Sequence, residues 1–195
     1  MKRGFKEAAK RLGLEVRAEL GLDGREPLDD PRTLAALYGV PVFPLDELRA
    51  YGCPEAAVTH FTEIRQATFS AALVPFGTGR FIIENSAHTN SRRRVSIAHE
   101  MAHVLLEHEF NFALLTLDGC RLMDKEVEEE ADRLSAELMI PYQAALAAAR
   151  SGWDDDRVAA HYGVSRAYAT MRMNMSGART VAARQRNAYR RIGGA

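Results

Sequence analysis

The chain has few cysteines and no long apolar run. Cys53 and Cys120 are its only two cysteines among 195 residues, and neither belongs to a CxxC pair. Two distant thiols are not the dense framework of a small disulfide-stabilised secreted domain. No stretch approaches the roughly 18 apolar residues of a membrane span, and the N-terminus lacks the apolar region of a signal peptide. We therefore expect a soluble cytoplasmic protein with free thiols and no membrane partner.

The chain also lacks net charge. Its 26 basic and 26 acidic residues cancel, which argues against a protein whose overall field attracts nucleic acid or an anionic membrane. Positive and negative charges do not cancel in every part of the chain, because the segment from Arg157 to the end contains eight arginines and no acidic residue. Acidic residues are concentrated at positions 124–137 instead. Any electrostatic binding surface is therefore expected in one part of the chain.

Apolar periodicity predicts an α+β fold that is mainly helical. A helical repeat begins at Phe5, and Asp30-Pro31 is typical of a second helix start. The segments QATFSAALVPF and RFIIEN flank GTG and predict a hairpin, hence a small antiparallel sheet. Further helices are predicted to end near Glu109, to run from about Asp124 to Met139, and to follow Ser151-Gly152. We expect residues 1–150 to form the main domain, with a C-terminal helical, arginine-rich segment, residues 151–195, packing on it.

The stretch VSIAHEMAHVLLEH contains the motif HExxH. On a helix, His99 and His103 lie one above the other, so both imidazoles can bind one metal ion, while Glu100 is rotated by about 100° from His99. Zinc takes two such nitrogens, a third protein ligand and a water, whose proton Glu100 would accept. The alternative is a helix whose histidines have no chemical role. The nearly all-apolar surroundings favour the metal site, because buried polar groups need partners.

The third ligand is expected from the acidic segment 20 to 30 residues downstream. A distance of that length allows a return helix, and most of its acids are expected on a solvated face. Helical phase relative to Leu134 and Leu138 favours Glu130, with Glu126 as the fallback. The full set of candidates comprises Glu126, Glu128, Glu129, Glu130 and Asp132.

The segments RRRVSIAHEMAHVLLEH and EEEADRLSAELMIP together resemble the ImmA/IrrE-type zinc metallopeptidases, over about residues 1–165. The resemblance implies a zincin-like fold, zinc ligation by His99, His103 and Glu130, and Glu100 as catalytic base. It also implies an intracellular peptidase acting on a partner protein, with a helix-turn-helix repressor as the expected substrate and a role in transcription regulation or stress response. Asp132 departs from the family pattern, which usually has Asn there.

The C-terminal segment carries a weaker signal. VAAHYGVSRAYATMRM has the spacing of a helix-turn-helix, and the arginines around it suggest a DNA-binding module. A helix pair that packs on the peptidase body is the favoured interpretation, since Arg172 occupies a position where a recognition helix buries an aliphatic side chain. The alternative function is therefore a metal-stabilised DNA-binding or regulatory module with little or no peptidase activity.

Four further expectations concern individual residues. His161 and Tyr162 are candidates for stabilising an oxyanion or contacting substrate. His108 lies off the ligand face and is expected either beside the metal site or exposed. Cations at the start of a helix are disfavoured, so Arg92–Arg94 suggest a local acidic partner. The strand FIIEN is a candidate edge for binding an extended peptide.

Overall fold

The computed structural model describes residues 4–108 and 125–192, with side chains up to residue 189. The described residues form two compact units, one within Met1–Ala9 and Asp30–Ser135 and the other within Lys10–Asp29 and Ala136–Ala195. Late in the chain, the division between these units falls between Ser135 and Ala136. The functional division into residues 1–150 and 151–195 stays a prediction. Cys120 and the expected helix ends at Glu109 and Asp124 lie outside the described residues.

The first unit contains a three-stranded sheet and the helices around it. Its elements are the start of α1 (Phe5–Glu19), α2 (Pro31–Leu37), β1 (Val42–Pro44), a 3₁₀ helix (Leu45–Tyr51), α3 (Glu55–Thr59), a π-helical turn (His60–Ile64), a 3₁₀ turn (Gln66–Thr68), β2 (Ala71–Phe76), β3 (Gly79–Glu84), α4 (Asn90–Leu105) and most of α5 (Lys125–Met139). Asp30 caps α2 by accepting a hydrogen bond from the backbone N–H of Arg32 at 3.0 Å, as the Asp-Pro start predicted.

The sheet is mixed, whereas the sequence predicted an antiparallel one. β2 and β3 form the predicted antiparallel hairpin, but β1 pairs with β3 in parallel, with Val42 opposite Ile82. The strand order is β1-β3-β2, so β3 is the central strand. The expectation that FIIEN offers a free edge is therefore wrong, because its backbone is paired on both sides. Within the described residues, the edges belong to β1 and β2.

α4 packs against β2, β3 and α2, and this packing fixes the helix that carries HExxH. Its apolar side chains Ile97, Ala98, Met101 and Ala102 are fully buried. At its start, Nε of Arg93 donates to Oε2 of Glu84 at 2.7 Å, and Nη2 of Arg32 reaches Oε1 of the same carboxylate at 2.8 Å. Glu84 is completely buried. The acidic partner expected for Arg92–Arg94 is thus confirmed, and it joins β3 to two helices.

The second unit is helical. After the end of α5 it contains α6 (Tyr142–Arg150), α7 (Asp155–Tyr162), α8 (Arg166–Ser176) and α9 (Ala178–Ile192), with α6 packing on α8 and α9 and α7 packing on α8. Arg172 is buried; its Nε donates to the carbonyl of Ile140 at 2.7 Å, and its Nη2 lies 2.7 Å from Oε1 of Glu137. No described helix combines the length and the apolar character needed to cross a bilayer.

Candidate metal centre

The two histidines of HExxH point at a common position. They lie one turn apart on α4, and their Nε2 atoms are separated by 3.2 Å. His103 is buried and His99 is partly exposed, with 22% of its side-chain surface accessible. One end of the pair is therefore enclosed by protein, while the other is open to a ligand from outside.

The third donor at this position is Glu128, from the first turn of α5. Its Oε2 lies 3.2 Å from Nε2 of His99, and its Oε1 lies 3.4 Å from Nε2 of His103. Together these three side chains form the group that could hold a metal ion among the described residues. Each can contribute a separate ligand atom to one centre.

The distances fit a tetrahedral divalent ion. Metal–nitrogen bonds of about 2.0–2.1 Å at tetrahedral angles place neighbouring ligand atoms about 3.3–3.4 Å apart. The observed separations among His99, His103 and the two carboxylate oxygens of Glu128, 3.2 to 3.4 Å, are close to this value. Two imidazoles and one carboxylate also leave the fourth position open, which is the donor set of catalytic rather than structural sites.

Both histidines make a second contact through Nδ1. Nδ1 of His99 lies 3.1 Å from Oδ1 of Asp132, one turn after Glu128 on α5. Nδ1 of His103 lies 2.9 Å from Nδ1 of His108. Such contacts fix the ring orientation and the tautomer that leaves Nε2 free for a metal.

Glu130, the expected third ligand, does not lie at the histidine pair. Its side chain is buried, and its Oε2 is 3.6 Å from Nε2 of His108. Helical phase correctly placed Glu130 on the buried side of α5, but the ligand face of this helix is the partly exposed one, which carries Glu128 and Asp132. Glu126, the fallback, is exposed, as is Glu129. The geometry therefore favours Glu128 in the role that the sequence assigned to Glu130.

The environment of the cluster shifts the pKa values of three of its side chains. Burial alone would lower the pKa of His99, but hydrogen bonds to Asp132 and Glu128 outweigh it and raise that pKa to about 10. Burial would raise the pKa of Glu128, yet its hydrogen bonds to His103 and His99 lower it to about 2. Burial, reinforced by the neighbouring His103, lowers the pKa of His108. In the metal-free protein, His99 and Glu128 therefore form an imidazolium–carboxylate pair at neutral pH.

Glu100 is oriented by the sheet. It is buried, and its Oε2 accepts a hydrogen bond from the backbone N–H of Leu73 at 3.0 Å. Leu73 lies in β2 opposite Ile82, whose own N–H donates to Pro41 beside β1. Since Ile82 faces β1, the N–H of Leu73 lies on the outer edge of β2. Glu100 is therefore adjacent to the outer edge of β2, which pairs with no other strand among the described residues and where an extended peptide could bind.

His161 and Tyr162 have contacts of their own in the second unit. The hydroxyl of Tyr162 donates to the carbonyl of Arg25 at 2.9 Å, and its ring is buried. The ring of His161 packs edge-on against Trp153 and is solvent-exposed. Nothing in these contacts assigns either residue to an oxyanion, and that role stays a prediction.

The sequence interpretation missed the roles of Glu128 and Asp132. A usable signal was present, because these two acids are four residues apart, the same spacing as His99 and His103. Two pairs of equal spacing on facing helices can meet side by side.

A pair of helices that directs two imidazoles and a carboxylate to one point, with another glutamate beside them, is typical of metallopeptidase domains. Residues 55–174 match the model of the Peptidase M78 family, described as the IrrE N-terminal-like domain, and since this is more than half of the chain, the chain belongs to that family. The matched segment includes both α4 and α5. No curated protein sequence matches the chain significantly.

Proposed function

We propose that the protein is a zinc-dependent endopeptidase in which His99, His103 and Glu128 hold the metal ion. The observation that carries this proposal is the convergence of the three side chains. The two Nε2 atoms lie 3.2 Å apart, and the carboxylate of Glu128 lies 3.2 Å from His99 through Oε2 and 3.4 Å from His103 through Oε1. The retained Glu100 supports a catalytic rather than a structural site, because structural zinc sites usually fill the fourth position with another protein ligand.

Zinc, when bound, polarises the substrate carbonyl and lowers the pKa of water. Glu100 accepts the proton of the attacking water and transfers it to the departing amine, which requires a carboxylate held in a fixed position. The N–H of Leu73 provides that restraint through its hydrogen bond to Oε2. The other carboxylate oxygen of Glu100 holds the proton in transit.

The outer edge of β2, which no other described strand covers, supports a protein rather than a small-molecule substrate. An extended segment can add to such an edge through main-chain hydrogen bonds, which bring its peptide groups close to Glu100. Because these hydrogen bonds involve only the main chain, extended peptides of many sequences can form them. Specificity then has to come from contacts beyond the bond that is cleaved.

The proposed substrate is a helix-turn-helix transcriptional repressor, cleaved in the cytoplasm as part of transcription regulation or a stress response. The resemblance to ImmA/IrrE-type peptidases is what supports this choice. To test it, the zinc-loaded protein is incubated with repressors encoded near its gene, and the products are identified by intact-mass spectrometry. We expect cleavage that stops on chelation, returns with zinc and is absent in Glu100→Gln. Zinc-loaded protein that leaves every such repressor intact would contradict the proposed substrate.

A DNA-binding module is the second candidate, and the pair α7–α8 favours it. The two helices are joined at Gly163, which adopts a left-handed conformation (φ 61°), and Ser165 caps α8 by accepting from the N–H of Tyr168. Two arginines of the C-terminal helices serve the fold instead, since Arg172 in α8 is buried and Arg179 in α9 is paired with Asp155. Fluorescence anisotropy with duplex DNA tests this candidate. Tight, salt-dependent binding that survives both chelation and Glu100→Gln would favour it over the peptidase.

A further inference from the structure

The turn that ends α4 returns the chain to His103. After Leu105 the backbone of Glu107 adopts a left-handed conformation, with φ 54°, which is the only positive φ of a non-glycine residue among the described residues. The N–H of His108 then donates to the carbonyl of His103 at 3.1 Å. Together with the bond from the N–H of Glu107 to the carbonyl of Val104, this hydrogen bond forms a common helix C-cap, in which glycine usually occupies the left-handed position. Here the effect of the cap is to bring the ring of His108 against that of His103.

The contact between the two rings determines their tautomers. A histidine that binds a metal through Nε2 carries its proton on Nδ1. At 2.9 Å, Nδ1 of His103 therefore donates to Nδ1 of His108, which has to accept. His108 then carries its own proton on Nε2, the atom that faces Glu130.

Glu130 is placed to favour this arrangement. Its Oε2 is 3.6 Å from Nε2 of His108, too far for a regular hydrogen bond but close enough for electrostatic attraction to an N–H there. Its other oxygen, Oε1, is buried and has no hydrogen-bond partner within the described residues. A buried carboxylate that makes so few hydrogen bonds lowers the stability of the folded state, because its lost hydration is not replaced. Its negative charge stabilises a proton on Nε2 of His108, and hence the accepting form of Nδ1.

We propose that His108 and Glu130 are positioning residues that hold His103 in its metal-binding tautomer and orientation. The inference rests on the proposed zinc site but concerns residues that do not touch the metal. It gives the buried Glu130 a role different from the ligand that the sequence suggested.

The test compares two replacements of His108 by their zinc affinity, measured by competition with a chromophoric chelator. Asparagine places an accepting oxygen close to the position of Nδ1, whereas leucine fills a similar volume without an acceptor. Loss of such outer partners typically weakens metal binding by about 10- to 100-fold. We expect His108→Leu to bind zinc at least tenfold more weakly than the wild type, and His108→Asn to recover most of that loss. Wild-type affinity in His108→Leu, or equal losses in both variants, would overturn the proposal.

Glu130→Gln and the matched control Glu129→Gln provide the second comparison. The first removes the buried charge beside His108, and the second removes an exposed charge one residue away on α5. We expect about a tenfold loss of zinc affinity in Glu130→Gln with one zinc still bound, and no change in Glu129→Gln. Unchanged affinity in Glu130→Gln would overturn the role of Glu130, and this comparison decides the proposal if His108→Leu does not fold. Complete loss of zinc would instead make Glu130 a ligand and overturn it as well.

Failure of the proposed function is distinguishable from failure of this inference. A wild-type protein that binds no zinc removes the basis of both. A wild type that binds one zinc, with affinities unaffected by the His108 and Glu130 variants, contradicts only the positioning roles. Circular dichroism of the metal-free proteins shows whether each variant is folded before its affinity is compared.

Discussion

Oε2 of Glu100 accepts a hydrogen bond from the backbone N–H of Leu73 at 3.0 Å, across 27 residues of sequence. The carboxylate proposed as the catalytic base is thus held by the sheet as well as by its own helix. This arrangement couples the geometry of β2, an edge strand of the sheet within the described residues, to the position of the base. A base fixed in this way needs little reorganisation when a peptide binds nearby.

Glu100→Gln and Glu100→Asp separate two properties of the proposed base, its ability to take up a proton and the reach of its side chain. Glutamine can still accept from Leu73 but cannot take up a proton, whereas aspartate keeps the charge and loses reach. We expect both to lower kcat by about 10²- to 10⁴-fold, the usual contribution of general acid–base catalysis. Cleavage assays on an identified substrate measure this effect, and mass spectrometry of the metal content serves as the control. Retained activity in Glu100→Gln would show that another group removes the proton.

Zinc affinity should rise with pH. The pKa of His99 is raised to about 10 in the metal-free protein, so at pH 7 this imidazole is protonated and zinc has to displace its proton. Apparent affinity should therefore increase by about tenfold per pH unit between roughly pH 7 and 9. Chelator competition across this range, or calorimetry in buffers of different ionisation enthalpy, measures the released proton.

Asp132→Asn is the matched variant for this pH dependence. It removes the negative charge that helps to raise the pKa of His99, whereas burial, which lowers that pKa, remains. We expect fewer protons to be released on zinc binding and a flatter dependence of affinity on pH. An identical slope in the wild type and in Asp132→Asn would mean that Asp132 does not control the protonation of His99.

The ion pairs at the start of α4 should stabilise the fold without affecting the metal. Glu84 is completely buried and is bound by Arg32 and Arg93. Glu84→Gln should lower the free energy of unfolding by about 1–3 kcal/mol, because a hydrogen-bonded charge is lost while both arginines remain. Urea denaturation of the metal-free protein measures this, with the exposed Glu47→Gln as control. Equal stability of the two variants would contradict this role of Glu84.

Several features of the site could be predicted from the sequence because they depend on local periodicity. HExxH placed His99 and His103 on one helix face, and the repeated arginines before it indicated an acidic partner, which is Glu84. The hairpin followed from GTG between two strands, and the start of α2 from Asp30-Pro31. Each of these inferences uses residues within about one turn or one strand of each other.

The remaining features depend on how distant elements meet. Helical phase showed which side of α5 is buried, but not that its half-exposed side faces α4, so Glu130 was chosen where the geometry favours Glu128. A periodicity of two likewise does not reveal the order of strands, so the sequence suggests β3 as an edge although β1 pairs with it in parallel. The left-handed turn at Glu107, which brings His108 to His103, has no glycine to indicate it.

The most direct test of the metal centre is a crystal structure of the zinc-loaded protein with anomalous data collected at the zinc edge. The account predicts a single peak within about 2.0–2.2 Å of Nε2 of His99, Nε2 of His103 and a carboxylate oxygen of Glu128. It also predicts that Glu130 remains beside His108, outside bonding distance. A peak bonded to Glu130 in place of Glu128, or no peak after zinc loading, would contradict the account.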